Sequence, residues 1–203
     1  IKFGSVPNVL VVHPSIPART LAEFTPYVKS RPDELNYASA GNGSSVHMAS
    51  ELYQKMTATK MRHIPYVSPG LATQDTMANR TQLIFHLLPA IAQQVIAGNL
   101  RALAVLSTER ASALPDVPSA REAGVEDYIV RLLYGILAPA GTPANLIGRL
   151  NSEIVRILNT PEMKDNLAKQ GAEVYTMTSE QLGNWLKSEI EKWAKVVKAA
   201  NLK

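Results

Sequence analysis

Asn36 to Ala49 reads NYASAGNGSSVHMA, and the order of residue types in it decides the fold. A β-favouring lead-in, Leu35 to Ala38, runs into small residues (Ser39, Ala40, Gly41, Asn42, Gly43, Ser44 and Ser45). An apolar-periodic segment from Val46 to Met56 follows. That order reads as strand, tight loop, helix. The first N–H groups of a helix lack intrahelical partners and carry the positive end of its macrodipole. A loop with almost no side-chain bulk lets an anion reach those donors, with the Ser44 and Ser45 hydroxyls beside them. The same residues also suit an ordinary βα turn whose serines only cap the helix. No Walker lysine follows the glycines and G-x-G-x-x-G does not fit, which argues against a nucleotide phosphate.

The flanking chain repeats the rhythm. Upstream, Val9-Leu10-Val11-Val12 is an apolar β-branched run of the kind found in strands of parallel sheets buried on both faces. Thr20 with Glu23 forms a capping box for a helix ending near Ser30, with Pro26 awkward inside it. Downstream, Met61 to Ile64 predicts a strand and Pro65 to Gly70 a turn-rich loop, followed by a helix over Leu71 to Ala78 and a strand over Gln82 to Phe85. A helix over Ala90 to Ala97, stopped by Gly98, and a strand over Ala102 to Leu106 complete an α/β pattern with a mainly parallel sheet. The last third is helical around two short strand candidates, Tyr134 to Leu137 and Ala172 to Tyr175. Thr142 is placed to cap a helix beginning at Pro143, and Thr178 with Gln181 makes a second capping box. Leu146, Leu150 and Ile154 recur at helical spacing, as do Leu182, Trp185, Leu186, Ile190, Trp193, Val196 and Val197. Both tryptophans read as core anchors.

Composition excludes several functions. Hydrophobic content of 46% with 19% charged residues is that of an ordinary globular protein. The 21 basic and 17 acidic side chains give a thinly spread +4, with no Lys/Arg run and few aromatics, so nucleic acid is not an expected partner. Without cysteine there is no disulfide, thiolate nucleophile or Cys-based metal site. His13, His47, His63 and His86 are scattered, with no metal-ligand spacing, so neither metal nor cofactor is expected. Gly43-Ser44-Ser45 is only a fragment of the G-x-S-x-G elbow of serine hydrolases, because Val46 stands where the second glycine belongs. An ester or acyl hydrolase using Ser44 or Ser45 with His47 or His86 is the alternative function. Burial with one satisfied hydrogen bond is the expected state of His47. His86 sits where a strand delivers its last residue to the ligand edge of a parallel sheet, or else in a solvent-facing loop.

With these segments laid out, the chain resembles the substrate-binding proteins of tripartite tricarboxylate transporters, the Bug-type periplasmic receptors. The matching stretches are VPNVLVVHPS (Val6 to Ser15), LNYASAGNGSSVHMASEL (Leu35 to Leu52), HIPY (His63 to Tyr66), LRALAVLSTERASALPDVPSAREAG (Leu100 to Gly124) and YGILAPAGTP (Tyr134 to Pro143). The resemblance implies a clamshell of the periplasmic-binding-protein type II kind that catches a small carboxylate-bearing solute and delivers it to membrane transporter subunits. It also implies a periplasmic location and no catalysis. The implied ligand-binding residues are Ser39, Ala40, Asn42, Gly43, Ser44, Ser45, Tyr66 and His86.

Two departures from the family pattern shape further expectations. Family members usually begin with a long additional segment that includes a P-F-x-x-G-G loop, and nothing here matches it. Residues 14–127 are therefore expected to form one complete α/β lobe. Residues 1–13 and 128–203 would supply the crossover strands and the C-terminal part of the other. Helices left without cover in that second part are expected to associate, as a homodimer or by exchange between copies. The sequence also opens at Ile1 without an initiator Met, which is compatible with processing or a fragment. The second departure is Phe85-His86-Leu87-Leu88, where relatives commonly read F-D-N. A histidine, neutral or cationic, replaces a fixed negative charge, which disfavours an amino-acid ligand and points to a di- or polycarboxylate or an aromatic acid.

Overall fold

The computed structural model describes residues 2–169, 172–174 and 176–199. Its framework is β1 (Lys2–Val12), which pairs along its whole length. The second half of β1 lies between β4 (Leu83–Leu87) and β5 (Arg101–Val105), and its first half pairs with β6 (Arg131–Gly135) and β7 (Glu173–Val174). On the far side of β4 come β2 (Asn36–Ser39) and β3 (Arg62–Pro65), giving the order β3-β2-β4-β1-β5.

The fold is α/β with a mixed sheet. Parallel pairing holds for β3, β2 and β4, whereas β1 runs antiparallel to every strand it meets. That corrects the sequence expectation for the first strand. Val9, Leu10, Val11 and Val12 are all fully buried, and an uninterrupted apolar run reports burial on both faces without fixing strand direction.

Helices α1 (Leu21–Lys29), α2 (Ser45–Thr57), α3 (Pro69–Met77) and α4 (Leu88–Ile96) fill the connections. Thr20 caps α1 by accepting the Glu23 N–H, and Pro26 is carried inside the helix. Helix α3 begins two residues earlier than expected because Ser68 Oγ accepts the Leu71 N–H and Pro69 fits the first turn. Gly98, at φ +75, follows the end of α4 as the sequence indicated. Tyr53, Phe85 and Tyr128 meet ring to ring at 5.6 to 6.1 Å beneath α2. Tyr128, one residue past the expected boundary at Asp127, is fully buried and donates to the Ala49 carbonyl of α2 at 2.8 Å.

Helices α5 (Ala144–Leu158), α6 (Pro161–Lys169) and α7 (Ser179–Ala199) form the last third. The Thr178 and Gln181 capping box is present in both directions, at 2.9 and 3.1 Å. Thr142 does not cap α5; its hydroxyl donates to the Pro139 carbonyl, and Pro143, extended at ψ 137, takes the cap position without a side-chain bond. The closing stripe is buried only in part. Leu182 and Val196 are buried and Trp193 packs on the main core, while Ile190 is 68% exposed. On α5, Leu146, Leu150 and Ile157 are exposed as well. Tyr175 of the expected last strand, and residues 170–171 at the expected end of α6, lie outside the described residues.

Candidate functional site

The parallel strands β3, β2 and β4 end at one edge of the sheet, where the loops to α2 and α3 and the junction with α4 gather. In open α/β sheets that carboxyl edge is where ligands bind. Strand alternation divides the residues there into two groups. Tyr37 lies opposite His63 and Leu83, and Ser39 shares its face. Ala38 lies opposite Ile64 and Ile84 on the other face, and Ala40, Tyr66 and His86, each two residues further on, continue that face.

The glycine loop is ordered by its own hydrogen bonds. Ser39 Oγ accepts the Gly41 N–H at 3.1 Å, and Ser44 Oγ donates to the Gly41 carbonyl at 2.8 Å while capping α2 through the His47 N–H. The Ser44 N–H also turns to Gly41 O. Gly43 N–H donates to His47 Nδ1 at 3.0 Å. Both glycines need positive φ, +101 at Gly41 and +74 at Gly43, which L-residues with a Cβ rarely adopt. The N–H groups of Asn42, Ser45 and Val46, and the Ser45 hydroxyl, make no hydrogen bond among the described residues. These donors at the start of α2 are left without a partner; of the three residues Asn42 is exposed, Ser45 is half-buried and Val46 is buried. Ser44 and Gly43, by contrast, spend their polar groups on the loop itself.

Sequence reasoning missed what lies under this loop. His47, 2% exposed, stacks on His63 with ring centroids 3.9 Å apart, and His63 stacks on Tyr37 at 4.9 Å. His63 Nε2 lies 2.6 Å from Ser39 Oγ. Glu51 Oε1 accepts the Tyr37 hydroxyl at 2.5 Å and lies 3.6 Å from His47 Nε2. Burial pushes the Glu51 carboxyl up, yet bonds from His47 and Tyr37 outweigh it and hold the group below its usual value. Burial and the acceptor carboxylate both raise the Tyr37 phenol, which stays protonated. The signals were in the sequence: His47 and Glu51 are four apart on a helix, and His63 falls opposite Tyr37 once the strands are paired.

On the other face, the Tyr66 hydroxyl donates to Asp75 at 2.9 Å, and Asp75 also holds Arg80 at 2.7 Å. His86 is not the final residue of its strand and not a solvent-facing loop residue. It sits inside β4 opposite Val9, 4% exposed, and its Nδ1 has no partner among the described residues. Burial pushes its pKa down, against the pull of the Leu87 and Pro69 backbone, so the neutral imidazole is favoured over the cation.

Among the described residues no hydrogen bond joins the Ser44 or Ser45 hydroxyl to an imidazole ring. Ser44 Oγ bonds backbone groups and not an imidazole, and His86 lies on the opposite face of the sheet. The Ser39–His63 pair is geometrically close, but Ser39 is fully buried. Among the described residues no group of three or more His, Asp or Glu side chains is arranged to hold a metal. None of their helices is long and apolar enough to cross a membrane.

Parallel strands whose loops to the following helices gather at one sheet edge give an α/β fold of the periplasmic-binding-protein kind. The chain belongs to the tripartite tricarboxylate transporter family of receptors, whose pattern matches residues 1–202. It is 32% identical to Protein BugT of Bordetella pertussis, over 98% of this chain and 61% of BugT. R. palustris Rpa4515, solved with adipate, superposes with a TM-score of 0.86 at 31% identity, over 99% of this chain and 67% of that one. MatC from Rhodopseudomonas palustris, solved with bound malate, gives a TM-score of 0.79 at 28% identity, over 97% of this chain and 68% of MatC. The chain thus spans about three fifths of the length of the curated relative and about two thirds of each solved one.

Proposed function

We propose that this chain acts in an extracytoplasmic, periplasmic solute receptor that captures a small carboxylate-bearing solute and delivers it to the membrane subunits of a tripartite tricarboxylate-type transporter, without catalysis. The observation that carries the reading is the set of N–H groups without a partner at Asn42, Ser45 and Val46, on a loop whose glycines add no side-chain bulk. The similar proteins solved with adipate and with malate support a dicarboxylate as the solute class. Ser39, Ala40, Asn42, Gly43, Ser44, Ser45, Tyr66 and His86 are the residues proposed to line the site. Asn42, Ser45 and Val46 donate directly, and Ser39, Gly43 and Ser44 shape the loop. A neutral His86 presents no fixed charge to a ligand amino group, in keeping with an acid that lacks one.

In this reading residues 14–127 form one lobe of a clamshell, and 1–13 with 128–203 supply the crossover strands and part of the other. One lobe offers a solute one wall, so the affinity expected of these 203 residues is weak. The C-terminal part is proposed to associate with a second copy. A hollow of about 620 Å³ opens there among Ile136, Leu137, Leu150, Ile154 and Leu186, and Leu137 and Leu150 are 76% and 55% exposed.

An adipate titration followed through backbone amide resonances tests the site. Saturable shifts centred on Asn42, Ser45 and Val46 are expected, and their absence at high adipate concentration overturns the receptor reading. A parallel assay with activated esters, parent against Ser44→Ala, tests the hydrolase alternative. Turnover lost in the variant would establish a nucleophile there.

A further inference from the structure

We infer that His47 is a positioning residue for solute capture: its imidazole takes the Gly43 N–H and so fixes the loop whose remaining amides face the solute. The inference rests on the receptor reading above. Side chains on a helix lean toward its N-terminus, so a residue four positions after Gly43, in the first turn of α2, reaches back over the loop. His47 does so with Nδ1 3.0 Å from Gly43 N. Because Nδ1 accepts, the ring proton sits on Nε2 and faces Glu51 Oε1 at 3.6 Å.

The ring is itself fixed. It is buried, lies 11° from parallel to His63, and backs onto a carboxylate that the Tyr37 hydroxyl also holds. A chain of contacts therefore runs from Tyr37 in β2 through Glu51 and His47 in α2 to the Gly43 peptide. What it achieves is selective. The Gly41, Gly43 and Ser44 amides are consumed inside the loop, and those of Asn42, Ser45 and Val46 are left without a partner among the described residues. Without His47, the Gly43 peptide would be free to rotate and the open amides would no longer converge before a solute arrived. Pre-ordering a binding loop reduces the entropy lost on binding.

The experiment compares the parent chain with His47→Leu and His47→Asn, the second of which keeps an acceptor near the Nδ1 position. In the parent, a scalar coupling across the N–H···N bond should link Gly43 N to His47 Nδ1. In His47→Leu, the Gly43 amide should exchange with solvent about ten-fold faster, while His47→Asn restores most of the protection. The adipate-induced shifts should weaken in His47→Leu and return in His47→Asn. Melting curves identify a variant that fails to fold, and the coupling in the parent decides the matter even then. Absence of that coupling overturns the inference, and so does equal exchange in parent and His47→Leu. Coupling and protection that behave as expected, in a chain no carboxylate perturbs, would overturn the receptor reading while leaving the hold of His47 on the loop in place.

Discussion

The Ser39 hydroxyl lies 2.6 Å from His63 Nε2, so the last residue of β2 is tied to the neighbouring strand by a side chain as well as by the ladder. The bond joins the glycine loop to a histidine that resists protonation. Burial pushes His63 down to about 4, His47 adds to the effect, and Glu51 opposes it.

Acid should therefore loosen this part of the molecule. From the ordinary histidine value of 6.5 down to about 4, the unfolded chain binds a proton that the folded chain refuses. The stability is complete above that window and is lost as pH falls through it. The ring is half-buried, and solvent screening reduces the loss to about 1–2 kcal/mol. His63→Gln keeps a partner for Ser39 and removes the titration, so melting temperatures should fall less steeply from about pH 7 to about pH 4 than in the parent. His86, shifted the same way by burial, leaves a residual slope. An identical slope in parent and variant would assign the acid sensitivity elsewhere.

Gly43 combines a left-handed backbone with empty surroundings, since a Cβ there would meet nothing within 4 Å. Gly43→Val should cost about 1–2 kcal/mol of stability through backbone strain alone. Its larger effect is expected on binding, because branched bulk then stands beside the open amides of α2. Adipate titration should lose the loop shifts while the melt remains cooperative. Retained shifts would take Gly43 out of the approach path.

Tyr128 couples the start of the C-terminal third to α2 through its bond to the Ala49 carbonyl. Tyr128→Phe keeps the ring contacts with Tyr53 and Phe85 and should cost about 1 kcal/mol, whereas Tyr128→Ala opens a cavity and should cost about 3–5 kcal/mol. Urea unfolding measures both. Equal losses would mean that the hydroxyl and not the ring is the anchor.

The exposed apolar face of α5 should make the chain associate. Sedimentation of the parent is expected to show concentration-dependent assembly, and Leu150→Lys should shift it toward monomer with a stability change within about 0.5 kcal/mol, because Leu150 is 55% exposed. A compact parent monomer at high concentration would refute the self-association.

The sequence by itself determined what local chemistry can enforce. It located the strand, glycine loop and helix around Asn36 to Ala49, because small residues, a serine cap and apolar periodicity act within a few residues of each other. The two capping boxes and the Gly98 stop were legible for the same reason. Tertiary structure decided the rest. The direction of β1 depends on which strands flank it, and the apolar run Val9 to Val12 is compatible with either sense. The stack of Tyr37, His63 and His47 joins residues from two strands and a helix, and no spacing along the chain encodes a contact between rings. Which loop amides are bonded within the loop was likewise decided in space. Gly43 is expected among the ligand-binding residues for its lack of bulk, and only the fold shows that its own N–H is held by His47, folded back over it from α2.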